Sequence, residues 1–231
     1  MKKLFVLFAL TSVLFSYKNK ISAQNLGTPG PNITDVEGNS YKTVSIGKQT
    51  WMAENLKTSK YNDGVNIPNI TDDTKWGNDT IGGWTYYNND SSNNVKFGKL
   101  YNWYSVSPKM NGNKYVCPIG WHVPTDAEWK LLIDYLGGAS LAGAKMKEVG
   151  IMKWNTPNIN ATNSSLFTGV PGGSRNIIGV YDDIGSVGGY WSSTEFDRNS
   201  AFYFHLYCNN DLVGRYDEFK VSGISIRCIK D

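Results

Sequence analysis

Charge is scarce in this sequence. Asp, Glu, Lys and Arg make up 19% of its 231 residues, against about 25% in an average soluble chain. With that little charge and 13% aromatic content, neither a coiled coil nor a solvated disordered tail fits. Histidine is scarcer still. His122 and His205 stand far apart, with no His or Cys partner at metal-ligand spacing, so His122, beside the entry to a helix, is assigned a structural role. There is no Gly-x-Ser-x-Gly, no phosphate loop and no dinucleotide fingerprint, which removes the signatures of those hydrolases and nucleotide binders. The apolar run Leu4 to Phe15 is shorter than the roughly 20 residues of a spanning helix. No cysteine precedes Cys117, so a lipoprotein is not expected.

What is abundant points elsewhere. Hydrophobic residues reach 40%, enough for a core, and 24 Gly accompany 8 Trp and 14 Tyr, a composition of turns and loops pinned by rings. Lys2 and Lys3, the apolar run and Ile21-Ser22-Ala23 read as a secretory signal over residues 1–24. An uncleaved N-terminal anchor is the alternative. Residues 25–33, rich in Gly, Pro and Asn, read as a linker, and residues 34–231 as one domain. The whole chain carries 23 basic and 20 acidic residues, a formal +3. Four of the lysines (2, 18, 20 and Lys3) lie in the signal with no acid beside them, so the remainder is −1. That leaves no electrostatic footprint for nucleic acid, and no transmembrane segment is expected in the mature chain.

Local patterns predict an α+β fold. Tyr41 to Ile46 and Gln49 to Ala53, joined by Gly47-Lys48, form a hairpin. Residues 58–96 form a long decorated loop or a set of small ribbons, and Leu100 to Val106 a short helix. Thr125 and Glu128 make a capping box for a helix whose Trp129, Leu132, Ile133 and Leu136 share a face, ending at Gly137-Gly138. A second helix spans Leu141 to Val149. Strands are expected near residues 167–170, 177–181, 189–193, 201–207 and 225–229, with Pro171-Gly172-Gly173-Ser174-Arg175 as an architectural turn in which Arg175 bonds carbonyls or a carboxylate.

Three cysteines in an exported chain make one disulfide plus an odd thiol the simplest arrangement. Cys117 before the capped helix and Cys228 in the last strand are the candidates; three buried free thiols are the alternative. The pairs Asp72-Asp73 and Asp182-Asp183 read first as turn residues. The functional alternative for both pairs is part of a Ca²⁺ site built from loop oxygens, with Asp182 and Asp183, followed by Gly185 and able to meet Glu195 and Asp197, the better candidates; no other cofactor is expected.

A series of blocks then carries a resemblance. Asp35-Val36-Glu37-Gly38-Asn39-Ser40-Tyr41, Val44 to Leu56, Gly98-Lys99-Leu100-Tyr101-Asn102-Trp103-Tyr104, Cys117-Pro118-Ile119-Gly120-Trp121-His122-Val123-Pro124-Thr125-Asp126-Ala127-Glu128-Trp129, Pro171 to Arg175, Tyr190-Trp191-Ser192-Ser193 and Ser225 to Asp231 occur in order. Together they resemble the Fibrobacter succinogenes major paralogous domain, over nearly everything from Thr34 onward. The Pro-Thr-x-x-Glu-Trp block and the closing Arg-Cys strand are also similar to the formylglycine-generating enzymes. That similarity implies a C-type-lectin-like fold, with two short helices, twisted antiparallel sheets and long irregular loops. The lectin-like resemblance also implies the Cys117–Cys228 bridge. It does not bring chemistry with it: the reactive cysteine pair of those enzymes is missing, since Cys208 has no close partner, and so are the Glu-Pro-Asn and Trp-Asn-Asp signatures of calcium-dependent sugar binders.

Three functions were weighed on this basis. The first is an exported, non-catalytic binding module for a polysaccharide or a cell-surface partner, using Trp154, Asn158 and Asn160 in one loop and Trp76, Trp84, Tyr86 and Tyr87 in another. Rings that stack on sugar faces beside amides that bond hydroxyls suit a neutral ligand. The second is a structural or adhesive platform with no small ligand. The third is a divergent enzyme on the formylglycine-generating scaffold. Exposure of the rings separates the first from the second, and on this reading Trp154 is expected to be at least partly exposed.

Overall fold

The β2–β3 hairpin lies at the centre of the architecture. In the computed structural model, which describes residues 26–231, the strands and helices follow in this order: β1 (Gly27–Thr34), β2 (Ser40–Ile46), β3 (Gln49–Met52), α1 (Asp73–Asn78), β4 (Trp84–Thr85), α2 (Asn93–Phe97), β5 (Leu100–Tyr101), α3 (Trp103–Val106) and β6 (Trp121–His122). Then come α4 (Asp126–Tyr135), α5 (Ala139–Met146), β7 (Ser174–Arg175), β8 (Tyr181–Asp182), β9 (Val187–Glu195), β10 (Ser200–Tyr207), β11 (Val213–Phe219) and β12 (Ile229–Lys230). The signal assigned to residues 1–24 lies outside the described residues.

The main sheet has the order β1-β2-β3-β12-β6, a second sheet the order β11-β10-β9, and β4-β5 and β7-β8 form two-stranded ribbons. All pairings between named strands are antiparallel. The fold is therefore α+β, rich in sheet and short of helix. Because successive residues of a strand point to opposite faces, Trp51 and Met52 enter different cores. Met52 joins Tyr41, Trp103, Trp191 and the two bridged cysteines. Trp51 joins Val44, Trp129, Phe167 and Phe204 beneath α4. The main sheet is thus packed on both sides.

Helix α4 forms as its sequence dictates. The Thr125 hydroxyl accepts from the Glu128 amide at 3.3 Å, and the Glu128 carboxylate accepts from the Thr125 amide at 2.7 Å. Trp129, Leu132, Ile133 and Leu136 are all buried. Trp129 stacks on Phe204 at 5.0 Å and contacts Trp51 at 4.8 Å. At the other end Gly137 takes φ +99, where a side chain would be strained.

Several expectations are corrected. Residues 27–34 are not linker but edge strand β1, paired with β2; Pro29 and Pro31 misled by composition, yet an edge strand tolerates proline because one row of its amides faces outward. Segment 100–106 splits into β5 and α3, and the described chain has five α-helices rather than two. The helix placed at 141–149 runs from Ala139 to Met146. Residues 167–170 make only a bridge from Gly169 to Lys147, and the final strand shrinks to β12, with Ile224 and Ser225 bridging Tyr101 and Tyr190. Strand β11 is not evident from the sequence, because its exposed residues mix charges (Arg215, Asp217) with rings (Tyr216, Phe219) and show no apolar alternation.

Candidate functional site

The residues chosen from sequence are mostly interior. Trp154 is 1% exposed, in the core shared with Trp129 and Phe167, and its indole N–H donates to the Gly169 carbonyl at 3.0 Å. Asn158 is buried and spends its amide on the carbonyls of Glu148 and Gly150, at 3.0 and 2.7 Å. Asn160 is exposed but bonds Asp211 at 2.7 Å. The predicted ring-plus-amide face does not exist: the indole buries its large apolar area where the loop folds over the core, and Asn158 holds that loop in shape.

The earlier aromatics behave the same way. Trp76 is fully buried beneath the Arg175 guanidinium, 4.6 Å away. Trp84 is buried, donates to the Ile67 carbonyl at 2.9 Å and lies under the Lys99 ammonium. Tyr86 packs edge-on against Trp84 at 5.0 Å, and Tyr87 is buried against Tyr181 at 5.3 Å. These rings pin the long loop and form no platform. Arg175 is architectural, as expected: it donates to the carbonyls of Gly179, Ile70 and Thr71 and to Asp73 at 2.7 Å, between the rings of Trp76 and Tyr181.

The structure gathers a different set of rings on the second sheet. Along strand β10 side chains point alternately to the two faces from Tyr203 on, although burial does not alternate: His205 is only 3% exposed. Phe204 and Leu206 turn inward onto the α4 core, so Tyr203, His205 and Tyr207 line the other face. His205 stacks on Tyr216 of β11 at 4.9 Å and 21°, and meets Tyr207 at 4.5 Å and Tyr203 at 5.4 Å. Gly214 makes this possible, since a Cβ there would overlap the His205 imidazole. Beside the rings a cleft of about 120 Å³ is walled by Tyr203, Tyr207, Asn176, Asp183, Glu218 and Ser222. Burial lowers the His205 pKa to about 4, so the imidazole is neutral at pH 7. Burial, reinforced by Glu218, pushes the Tyr203 phenol far up, and burial raises Tyr207 as well. The cleft thus offers neutral rings, neutral hydroxyls and two carboxylate acceptors, with Arg175 also in its wall but spent on Gly179, Ile70, Thr71 and Asp73. The period-two spacing of Tyr203, His205 and Tyr207 is visible in the sequence, but the residues that meet them across the cleft come from distant segments.

The acids considered for calcium do not converge. Glu195 pairs with Lys220 at 2.8 Å, Asp197 accepts from the amides of Asn199 and Ser200, and Asp182 accepts from Asn176. Among the described residues no group of three or more His, Cys, Asp and Glu is placed to hold a metal ion.

The second histidine is ionic. His122 bonds Glu128 through Nε2 at 2.9 Å and Asp231 through Nδ1 at 2.6 Å. The Glu128 bond, with Asp231 adding to it against partial burial, raises His122 to about 9. Although burial opposes it, the bonds from His122 and Thr125 lower Glu128 to about 2. A raised histidine contributes stability that is complete below its ordinary value of 6.5 and is lost as pH rises through 9. The depressed His205 does the reverse: its contribution is complete above 6.5 and is lost as pH falls through 4. Stability is therefore expected to peak near pH 6.5. Urea midpoints at three pH values test this: both flanks should fall, and His122→Gln should flatten the alkaline one. A midpoint that rises from pH 6.5 to 9 would contradict the assignment.

No described helix is long and apolar enough to cross a membrane. Neither the curated proteins nor the solved structures contain a match to this chain. A family model does match: the Fibrobacter succinogenes major domain aligns with residues 44–230, from β2 through β12. That span holds both cores, the disulfide and the tyrosine-lined cleft, and the chain belongs to the Fibrobacter succinogenes major domain family.

Proposed function

We propose that this chain is an exported, non-catalytic binding module on a C-type-lectin-like scaffold, whose ligand is a neutral polysaccharide or the glycan of a cell-surface partner. The observation that carries the reading is the Tyr203–His205–Tyr207 strip, extended by Tyr216, beside a cleft with carboxylate and hydroxyl walls. Flat rings match the C–H faces of sugars, while Asp183, Asn176 and Ser222 supply the hydrogen bonds that fix hydroxyls. The scaffold assignment is supported by the bridge from the segment before α4 to the residue preceding β12. Export through residues 1–24 is supported by that same bridge, a feature of oxidising compartments. The enzyme reading loses ground because two of the three cysteines are bridged, leaving Cys208 as the free thiol.

An array of neutral oligosaccharides, followed by calorimetry on the strongest hit, tests the proposal. Tyr207→Ala is expected to weaken binding by about tenfold, the scale of one well-placed anchor, while the melting temperature holds. An array without a hit, or a hit indifferent to Tyr207→Ala, favours the platform reading.

A further inference from the structure

A second cleft, of about 210 Å³, opens where β3 ends, beside the residues that lead into β12, and shares no lining residue with the tyrosine-lined one. Its innermost group is Arg227, which is fully buried. The guanidinium donates through Nε to Asn55, through one terminal nitrogen to the carbonyls of Met52 and Phe167, and through the other to Thr168. That uses four of its five N–H groups, and no carboxylate among the described residues lies within ion-pair distance of it. The Phe167 ring covers it at 4.5 Å. A buried cation answered only by carbonyl and ring dipoles projects its field into the adjoining cleft with little screening.

The rim gives that field a chemical meaning. Glu54 is tied to Lys57 at 2.8 Å, and Glu148 to Lys153 at 3.0 Å. Lys42 and Lys96 also line the cleft, are exposed, and have no such partner among the described residues. The cleft therefore carries two free ammonium groups beside one buried guanidinium, while Glu54 and Glu148 are each offset by a lysine, so the lining is positive on balance. The other polar groups offer little competition: Asn55 has given its amide to the Phe97 carbonyl, and the Thr168 hydroxyl donates to the Leu166 carbonyl.

From this we infer that the cleft formed by Arg227, Lys42 and Lys96 is a binding site for a singly charged carboxylate on a sugar-sized ligand, of the class of a hexuronate. A carboxylate would take its contacts from the two lysines and its field from Arg227.

Sodium glucuronate, methyl glucoside and inorganic phosphate, titrated in turn into the isotopically labelled protein, provide the test. Glucuronate should shift amides around Asn55, Gly98 and Thr168, more weakly as salt rises, and phosphate, drawn by the same positive lining, should compete for the same amides. Methyl glucoside should leave those amides unmoved. Lys42→Glu combined with Lys96→Glu, two exposed positions, should weaken glucuronate at least about tenfold with the melting temperature retained. Tyr207→Ala should leave it unchanged, which separates this site from the one proposed above. No binding of glucuronate to the wild type, equal binding of methyl glucoside, or a double variant that binds as well as the wild type would each overturn the assignment.

Discussion

Replacing Cys117 and Cys228 together with alanine is expected to lower the unfolding free energy by about 4–5 kcal/mol. The two sulfurs close a loop with a sequence separation of 111. In the chain-entropy account a loop of that size restricts the unfolded chain by about 4.7 kcal/mol. The bridge lies in the core with Trp103, Trp191 and Ile226. It ties the segment before β6 to the residue preceding β12, and those two strands are hydrogen-bonded neighbours. Alanine also removes two buried sulfurs, so the wild type measured under reducing conditions is the cleaner comparison. Its urea midpoint should fall nearly as far. A reduced protein with an unchanged midpoint would show that native packing alone already holds these strands together.

The second large effect comes from the residue whose role changed most. Trp154→Ala is expected to cost about 3–5 kcal/mol, the range for removing a buried aromatic, and no ligand enters into that cost. The ring is 1% exposed within the α4 core. Trp154→Phe separates the contributions: it keeps most of the packing and forfeits the bond to Gly169, about 1 kcal/mol. The Gly169 carbonyl still accepts from the Glu148 amide, so it is not stranded. If Trp154→Ala unfolds at the wild-type denaturant concentration, the ring is not part of the core.

What could be read in advance follows a physical division. The capping box at Thr125 and Glu128 was legible because a cap is a local bargain between residues three apart. So was the hairpin at Gly47-Lys48, where the turn and two alternating runs agree. The disulfide followed from the resemblance together with the expectation of export. The aromatics of residues 76–87 were opaque for the opposite reason. Trp76 and Trp84 sit in elements of only six and two residues, too short for a period to show, and the partners of these rings lie far away: Arg175 for Trp76, Tyr181 for Tyr87. A tryptophan in an Asn-rich loop therefore looks like a binding ring when it is a pin. The candidate cleft was half legible. Strand β10 was placed near 201–207, and its outward face could have been written down from the period of two. Its companions Asn176, Asp183 and Glu218 come together only in three dimensions.

The pairing of β3 with β12, Trp51 opposite Ile229, sets an order of events for the nascent chain. The strands around the sheet's midline come from opposite ends of the described sequence, and β6 can join only through β12. A ribosome delivering this chain from its N-terminus can finish the β1–β2–β3 meander early, but β3 keeps an open edge until residues 229–230 emerge. Closure across so much intervening chain is slow, and an open strand edge is sticky while it lasts. Until residues 229–230 arrive the meander is unfinished, and the open edge of β3 is where wrong pairing would start.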